Sequence, residues 1–195
     1  MIAPEATALV LLAAGRSQRF GDLDKLDQPY LAEPLAFHVV TALEAVPFAR
    51  RIAVVSGTRL DFGARGYEVV RNERADDGQG HSLALCVAAA RAAEASAVLV
   101  ALADMPRVTA THIYRLLDAA EGDDAVVASS DGVRPMPPAL FGAGWFDRLE
   151  ALEGDAGARR IIAGGRHIVT SPAELVDIDT PADLEALRAK YAPRG

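Results

Sequence analysis

Short apolar runs alternate with amphipathic stretches along the chain, the pattern of repeated strand–helix–strand units. Ala8–Ala13 is apolar throughout and runs into a loop containing glycine and arginine, as a buried strand would. Pro34 then opens a stretch in which Leu35, Val39, Ala42, Leu43 and Val46 recur at helical spacing. Ile52–Ser56 predicts a second strand, punctuated by Gly57, and Tyr67–Val70 a short third. Ser82–Ala95 is rich in alanine and predicts a helix with Ser82 as its N-cap. Ala97–Ala103 is apolar without a period and predicts a central strand. Thr109–Ala120 reads as a helix and Ala125–Ala128 as a strand. Pro135, Pro137 and Pro138 are expected to break regular structure ahead of Ala139–Phe141. Trp145–Leu152 and Gly157–Ala163 have helical patterns, and Leu175–Ile178 predicts a strand. Thr180-Pro181-Ala182-Asp183 supplies the cap, the N1 proline and the N3 acid of a last helix. The sum is about seven strands and six helices in a single domain, three α/β/α layers around a mostly parallel, Rossmann-like sheet.

Composition narrows the function. The net charge of −7 argues against non-specific nucleic-acid binding. Cys86 is the one cysteine, so no disulfide framework exists within the chain, and a cytoplasmic location is expected. It lies among Leu85, Val87 and Ala88, where buried packing is expected. No apolar run approaches the ~20 residues of a membrane helix. Residues 1–6 include Pro4 and Glu5 but no positive side chain, and are not expected to act as a signal peptide.

In an open α/β sheet, ligands bind beyond the carboxyl ends of the strands. Two strand ends stand out. Small residues at Ala13, Ala14 and Gly15 allow close approach of a ligand, and Arg16, Arg19 and Lys25 place three cations in ten residues. Either this loop is an anion nest for a polyphosphate, or it is a surface turn with solvated arginines. No Gly-Lys-Ser/Thr follows it and no G-x-G-x-x-G occurs, which disfavours a P-loop and a dinucleotide site. The second strand end is Asp104, directly after an apolar run and before Met105-Pro106. It is either a turn residue or, if its strand neighbours the first, a hard ligand for Mg²⁺ beside the phosphates.

These segments resemble the MobA-like nucleotidyltransferases. Leu12-Ala13-Ala14-Gly15-x-Ser17-x-Arg19-Phe20-Gly21-x3-Lys25-Leu26 is similar to the family's signature loop, and Leu102-Ala103-Asp104-Met105-Pro106 to its metal motif. Asn72 with Gly78-x3-Ser82 resembles its base- and ribose-side loop. Gly154-Asp155-x-Gly157-Ala158-Arg159 resembles a motif of the cytidylyltransferase branch. Asp177-Ile178-Asp179-Thr180-Pro181-x-Asp183-Leu184 resembles the carboxyl-terminal strand–helix junction.

The resemblance implies a nucleotide-diphospho-sugar transferase type of fold. It also implies transfer of a cytidylyl group from CTP to the terminal phosphate of molybdopterin, with release of pyrophosphate. Lys25 would meet the α-phosphate and Arg19 the leaving β,γ-phosphates, with Arg16 assisting. Leu12, Ala13, Ala14, Gly15, Ser17, Asn72, Gly78 and Ser82 would frame the nucleotide. Asp104 and Asp179 would hold Mg²⁺; alternatively Asp179 only tightens the turn before Thr180. Pro138, Asp155 and Arg159 would face the acceptor, and Arg159 with Arg160 would either meet its phosphate or lie on a solvated helix surface. Residues 1–106 would form the nucleotide half and 107–195 the acceptor half. A molybdenum hydroxylase apoenzyme is the implied protein partner. Leu-Ala-Ala-Gly goes with cytidine in the family, and the Ala14 methyl would narrow the room for a purine. Lys25 is expected on a loop, where its replacement would leave folding little changed.

Two departures touch the acceptor side and the loop. Where relatives carry Gly and His or Asn before the proline matching Pro138, this chain has Met136 and Pro137, neither of which offers a polar side chain. Asp27 follows Lys25-Leu26 where an apolar residue is usual. The altered wall keeps open another phosphorylated acceptor, such as a sugar or polyol phosphate. A non-catalytic nucleotide-binding module for molybdenum hydroxylase maturation is disfavoured by the joint presence of Lys25, Arg19 and Asp104. His112 and His167 show no ligand spacing, so zinc is not supported.

Overall fold

The computed structural model describes residues 1–191 apart from 16, 22, 75–77, 153 and 155. In chain order the strands are β1 (Thr7–Ala13), β2 (Pro29–Tyr30), β3 (Glu33–Pro34), β4 (Arg50–Val55), β5 (Glu68–Arg71), β6 (Ala97–Leu102), β7 (Val126–Ser130), β8 (Pro135–Gly142) and β9 (Arg166–Val169). The helices are α1 (Leu35–Ala42), α2 (Gln79–Ala92), α3 (Ala110–Ala119), α4 (Phe146–Glu150), α5 (Ala156–Ala163) and α6 (Pro181–Tyr191). None of the helices is long and apolar enough to cross a membrane.

Seven strands form one sheet in the order β5-β4-β1-β6-β8-β7-β9, parallel except for β8. Its central strands β1 from Ala8 onward and β6 are apolar because both faces are covered. On β1, Leu9 and Leu11 face a core shared with α1 and α3, while Ala8 and Val10 face one shared with α2, α4 and α5. That alternation is the period-two geometry of a strand. The chain moves outward from β1 to β4 and β5, then returns through α2 to place β6 on the other side of β1. This reversal opens a crevice at the carboxyl ends of β1 and β6, where Leu12 pairs with Leu102.

The prolines at 135, 137 and 138 do not interrupt regular structure as their sequence suggested; all three lie within β8. β6 pairs only with Ala139–Gly142, so the proline-bearing half has a neighbour on one side only, β7. A missing N–H is tolerated at such an edge, and the register shifts there between Ala128 and Ser129. Leu175–Ile178, expected as a strand, is not one. Ile178 N donates to Asp104 O (3.0 Å), beyond the end of β6, which ties the segment down without a ladder. Helix α2 begins a turn earlier than expected, with Gly78 at its cap in a positive-φ conformation (91°). Ser82 therefore lies inside the helix, and its hydroxyl accepts from Asn72 Nδ2 (2.8 Å). The reading of the last helix holds: Asp183 N donates to Thr180 Oγ1 (3.2 Å) and Thr180 N to the Asp183 carboxylate (2.8 Å).

Candidate active site

A cavity of about 680 Å³ opens over the β1–β6 crevice. Leu12, Gly15, Ser17, Arg19 and Lys25 line it from the first loop, Asp104 from the end of β6, and Met136, Pro137 and Arg159 from the second half of the chain. The first turn of α2 contributes Gln79 and Gly80, bringing the positive end of a 14-residue helix to the rim.

Local hydrogen bonds set the position of Lys25. Asp24 caps a 3-10 turn over Lys25–Asp27 by accepting from Leu26 N. The Ser17 hydroxyl accepts from Lys25 N (3.0 Å) and donates to Asp24 Oδ1 (3.3 Å). The Lys25 side chain is thereby carried inward and is only 8% exposed. Its ammonium donates to Asp104 Oδ2 (2.6 Å), Ile178 O (3.0 Å) and Asp179 Oδ1 (3.4 Å), which uses all three of its donors. Asp179 Oδ2 in turn accepts from Arg19 Nη1 (2.9 Å). Burial alone would lower the Lys25 pKa, but the carboxylates of Asp104 and Asp179 hold it above the ordinary lysine value. Burial pushes the Asp104 carboxyl up, against the pull of Lys25 and with help from Asp177 and Asp179.

Among the described residues, no three His, Cys, Asp or Glu side chains gather closely enough to form a metal cage. Mg²⁺ does not require one, since it commonly takes one or two carboxylates together with substrate phosphates. Asp104 Oδ1 is buried without a hydrogen-bond partner, and both Asp104 and Asp179 line the cavity. An orphaned carboxylate oxygen of this kind fits a hard cation.

Other residues singled out in the sequence are placed differently. Ala13 and Ala14 are buried in the two cores and do not line the cavity. Asn72 and Ser82 are buried against one another, and Gly78 caps α2; none of the three lines the cavity. Pro138 is buried behind the wall formed by Pro135, Met136 and Pro137. Arg16 and Asp155 lie outside the described residues. Arg134, on the rim next to that wall, was not anticipated. Its sequence neighbourhood carried no signal, because only the antiparallel course of β8 brings it to the cavity.

Behind the wall, Ser129 Oγ donates to Pro138 O (2.7 Å), standing in for ladder bonds that proline cannot make. Because that hydroxyl proton is committed, His112 Nε2 carries the proton in its 2.7 Å bond to Ser129 Oγ. His112 Nδ1 is then bare, buried and unpartnered. Burial holds the His112 pKa below its ordinary 6.5, with Glu174 opposing and Arg115 assisting. A folded-state pKa below the unfolded one gives stability that is complete above about pH 6.5 and is lost as the pH falls through the folded value. The melting temperature should therefore decline below pH 6.5. His112→Gln, which keeps a donor but cannot titrate, should flatten that decline; an equal slope in both proteins would remove His112 as its cause.

A mostly parallel open sheet, a crevice at its reversal point, and Lys25 buried against Asp104 with Arg19 beside Asp179 fit the α/β nucleotidyltransferases. The chain belongs to the MobA-like NTP transferase domain family, whose model matches residues 9–171. Purine catabolism protein PucB of Bacillus subtilis is 30% identical over 198 residues, covering 92% of this chain and 94% of that protein. The molybdenum cofactor guanylyltransferase of Shewanella sediminis is 30% identical over 193 residues, covering 94% and 96%. The crystal structure of the Mycobacterium tuberculosis rv0371c homolog from Mycobacterium sp. strain JC1 superposes with a TM-score of 0.78 at 26% identity, covering 95% of this chain and 96% of that one.

Proposed function

We propose that the chain transfers a cytidylyl group from CTP to the terminal phosphate of a molybdopterin-type acceptor, releasing pyrophosphate, with Mg²⁺ held by Asp104 and Asp179. The observation that carries the reading is that the Lys25–Asp104 pair, Arg134 and Arg159 all line one cavity. An acceptor phosphate oxygen attacks the α-phosphorus. A P–O bond forms to the acceptor, and the bond to the β-phosphate breaks in line as pyrophosphate leaves. The acceptor phosphate is ionised near neutral pH, so no side chain has to remove a proton. Of the three bonds made by Lys25, the one to Asp179 is longest and is the one exchanged for an α-phosphate oxygen. Arg19, with its side chain 65% exposed and, among the described residues, tied only to Asp179, is free to turn to the β,γ-phosphates. Bound Mg²⁺ would neutralise phosphate charge. The product would pass to a molybdenum hydroxylase apoenzyme.

The choice of CTP rests on the Leu12–Gly15 motif. A guanylyltransferase among the relatives favours a second reading, GTP. Pyrophosphate release should be measured with each NTP, with and without molybdopterin. The highest kcat/KM is expected for CTP with molybdopterin. A higher value for GTP overturns the base assignment, and release from no NTP with any phosphorylated acceptor overturns the transfer. Arg159→Ala should raise the acceptor KM by about tenfold or more, the loss of one charge-assisted hydrogen bond, and leave the CTP KM nearly unchanged. The opposite pattern would reverse the two sides of the site.

A further inference from the structure

A second cavity, of about 400 Å³, lies on the other side of α5. Ala158, Arg159 and Ile162 of α5 line the active-site cavity, whereas Arg160 and Ile161 line this one. Consecutive helical residues point about 100° apart, which separates the two neighbouring arginines. Arg148 and Arg166 join Arg160 here, with Trp145, Asp124 and Gly165. Gly165 approaches β7 so closely that a Cβ would come within 2.5 Å of Val126 Cγ1, so the floor stays open backbone.

None of the three arginines makes an ion pair among the described residues, whereas Arg19, Arg65, Arg91 and Arg188 all do. Arg148 rests over the Trp145 ring (5.3 Å), and Arg166 Nη1 donates to Ala119 O (3.1 Å). Among the described residues Arg160 has neither a carboxylate nor a carbonyl partner; its position in the last turn of α5 suits the helix dipole without occupying its donors. Among the described residues Asp124 is the only carboxylate in the lining, and its Oδ1 lies 2.8 Å from where a Cβ on Gly144 would stand. Three arginines thus share the cavity lining with one carboxylate, which among the described residues bonds to none of them. Such a cluster is completed by an anion carrying at least two charges and several acceptor oxygens.

We propose that this second cavity is a binding site for a small phosphorylated anion. It is distinct from the active site and independent of which nucleotide the active site uses. Trp145 is the one tryptophan of the chain and is absent from the lining of the active-site cavity, so its fluorescence reports on the second cavity. The full chain should be titrated with inorganic pyrophosphate at low ionic strength while Trp145 emission is followed. A saturable change is expected. Arg160→Ala should weaken it by about tenfold or more, Arg160→Ala with Arg166→Ala should abolish it, and Lys25→Ala should leave its midpoint unchanged. Arg160 is exposed on a helix surface, so the single variant should melt as the wild type does. The proposal is overturned by the absence of a saturable change, by an unchanged midpoint in the arginine variants, or by loss of the change in Lys25→Ala under conditions where a thermal melt shows that variant folded. A stronger response to polyglutamate than to pyrophosphate also overturns it, since the cavity would then suit an acidic protein segment.

Discussion

Lys25→Ala is expected to lower turnover by about 10²–10³, the usual effect of removing one group that stabilises transition-state charge. The same substitution is expected to destabilise the fold, contrary to what a loop position suggests. Lys25 is buried, and its partner Asp104 is left as an uncompensated carboxylate. Breaking a buried pair at one end costs roughly 3–5 kcal/mol. The loss should fall at the low end, because burial already raises the Asp104 pKa and protonation limits the damage. The two effects separate in a double variant. Lys25→Met with Asp104→Leu replaces the pair by apolar groups and should recover most of the stability while recovering no activity. Urea unfolding and pyrophosphate release measured on the same preparations provide the check. Activity within threefold of wild type in the folded single variant would remove Lys25 from catalysis.

Asp104→Asn is expected to raise the Mg²⁺ concentration needed for half-maximal activity by at least about tenfold, with a comparable fall in rate. Asparagine keeps the shape of the side chain but removes the charge from the orphaned Oδ1 to which the proposed Mg²⁺ would bind. Stability should fall by less than in Lys25→Ala. The ammonium keeps Ile178 O and the Asp179 carboxylate, and the amide oxygen still accepts a bond. Titration of activity against Mg²⁺, set beside thermal melts, tests both statements. An unchanged half-saturation with an unchanged rate would make Asp104 a structural counter-ion to Lys25 and nothing more.

The elements that proved legible in the sequence are those whose surroundings are uniform. β1 from Ala8 onward and all of β6 are apolar because both faces of a central parallel strand are covered, and Thr180 with Asp183 carries its own capping chemistry. Leu12, Gly15, Ser17, Arg19, Lys25 and Asp104, singled out in the sequence, line the cavity, since glycine, cations and a carboxylate at strand ends keep their meaning in any α/β sheet. Short, polar or one-sided elements were not legible. β9 is four residues long and mostly exposed, and the prolines of β8 are tolerated because its pairing with β6 ends at Ala139.

The character of each charged group was decided by partners far along the chain. Asp104 lies 79 residues from Lys25, Asp179 lies 154 away, and together they turn a loop lysine into a buried ion pair. The crossing of α5 between two cavities assigns Arg159 to one and Arg160 to the other, although sequence alone treats them as a pair. The course of β8 likewise brings Arg134 to the active-site rim and hides Pro138. Periodicity records which face of an element is covered, and so it determined the sheet and its layers. It carries no record of what covers that face, and only the tertiary fold fixed which cations are buried, which oxygens are left without partners, and which side chains share a cavity.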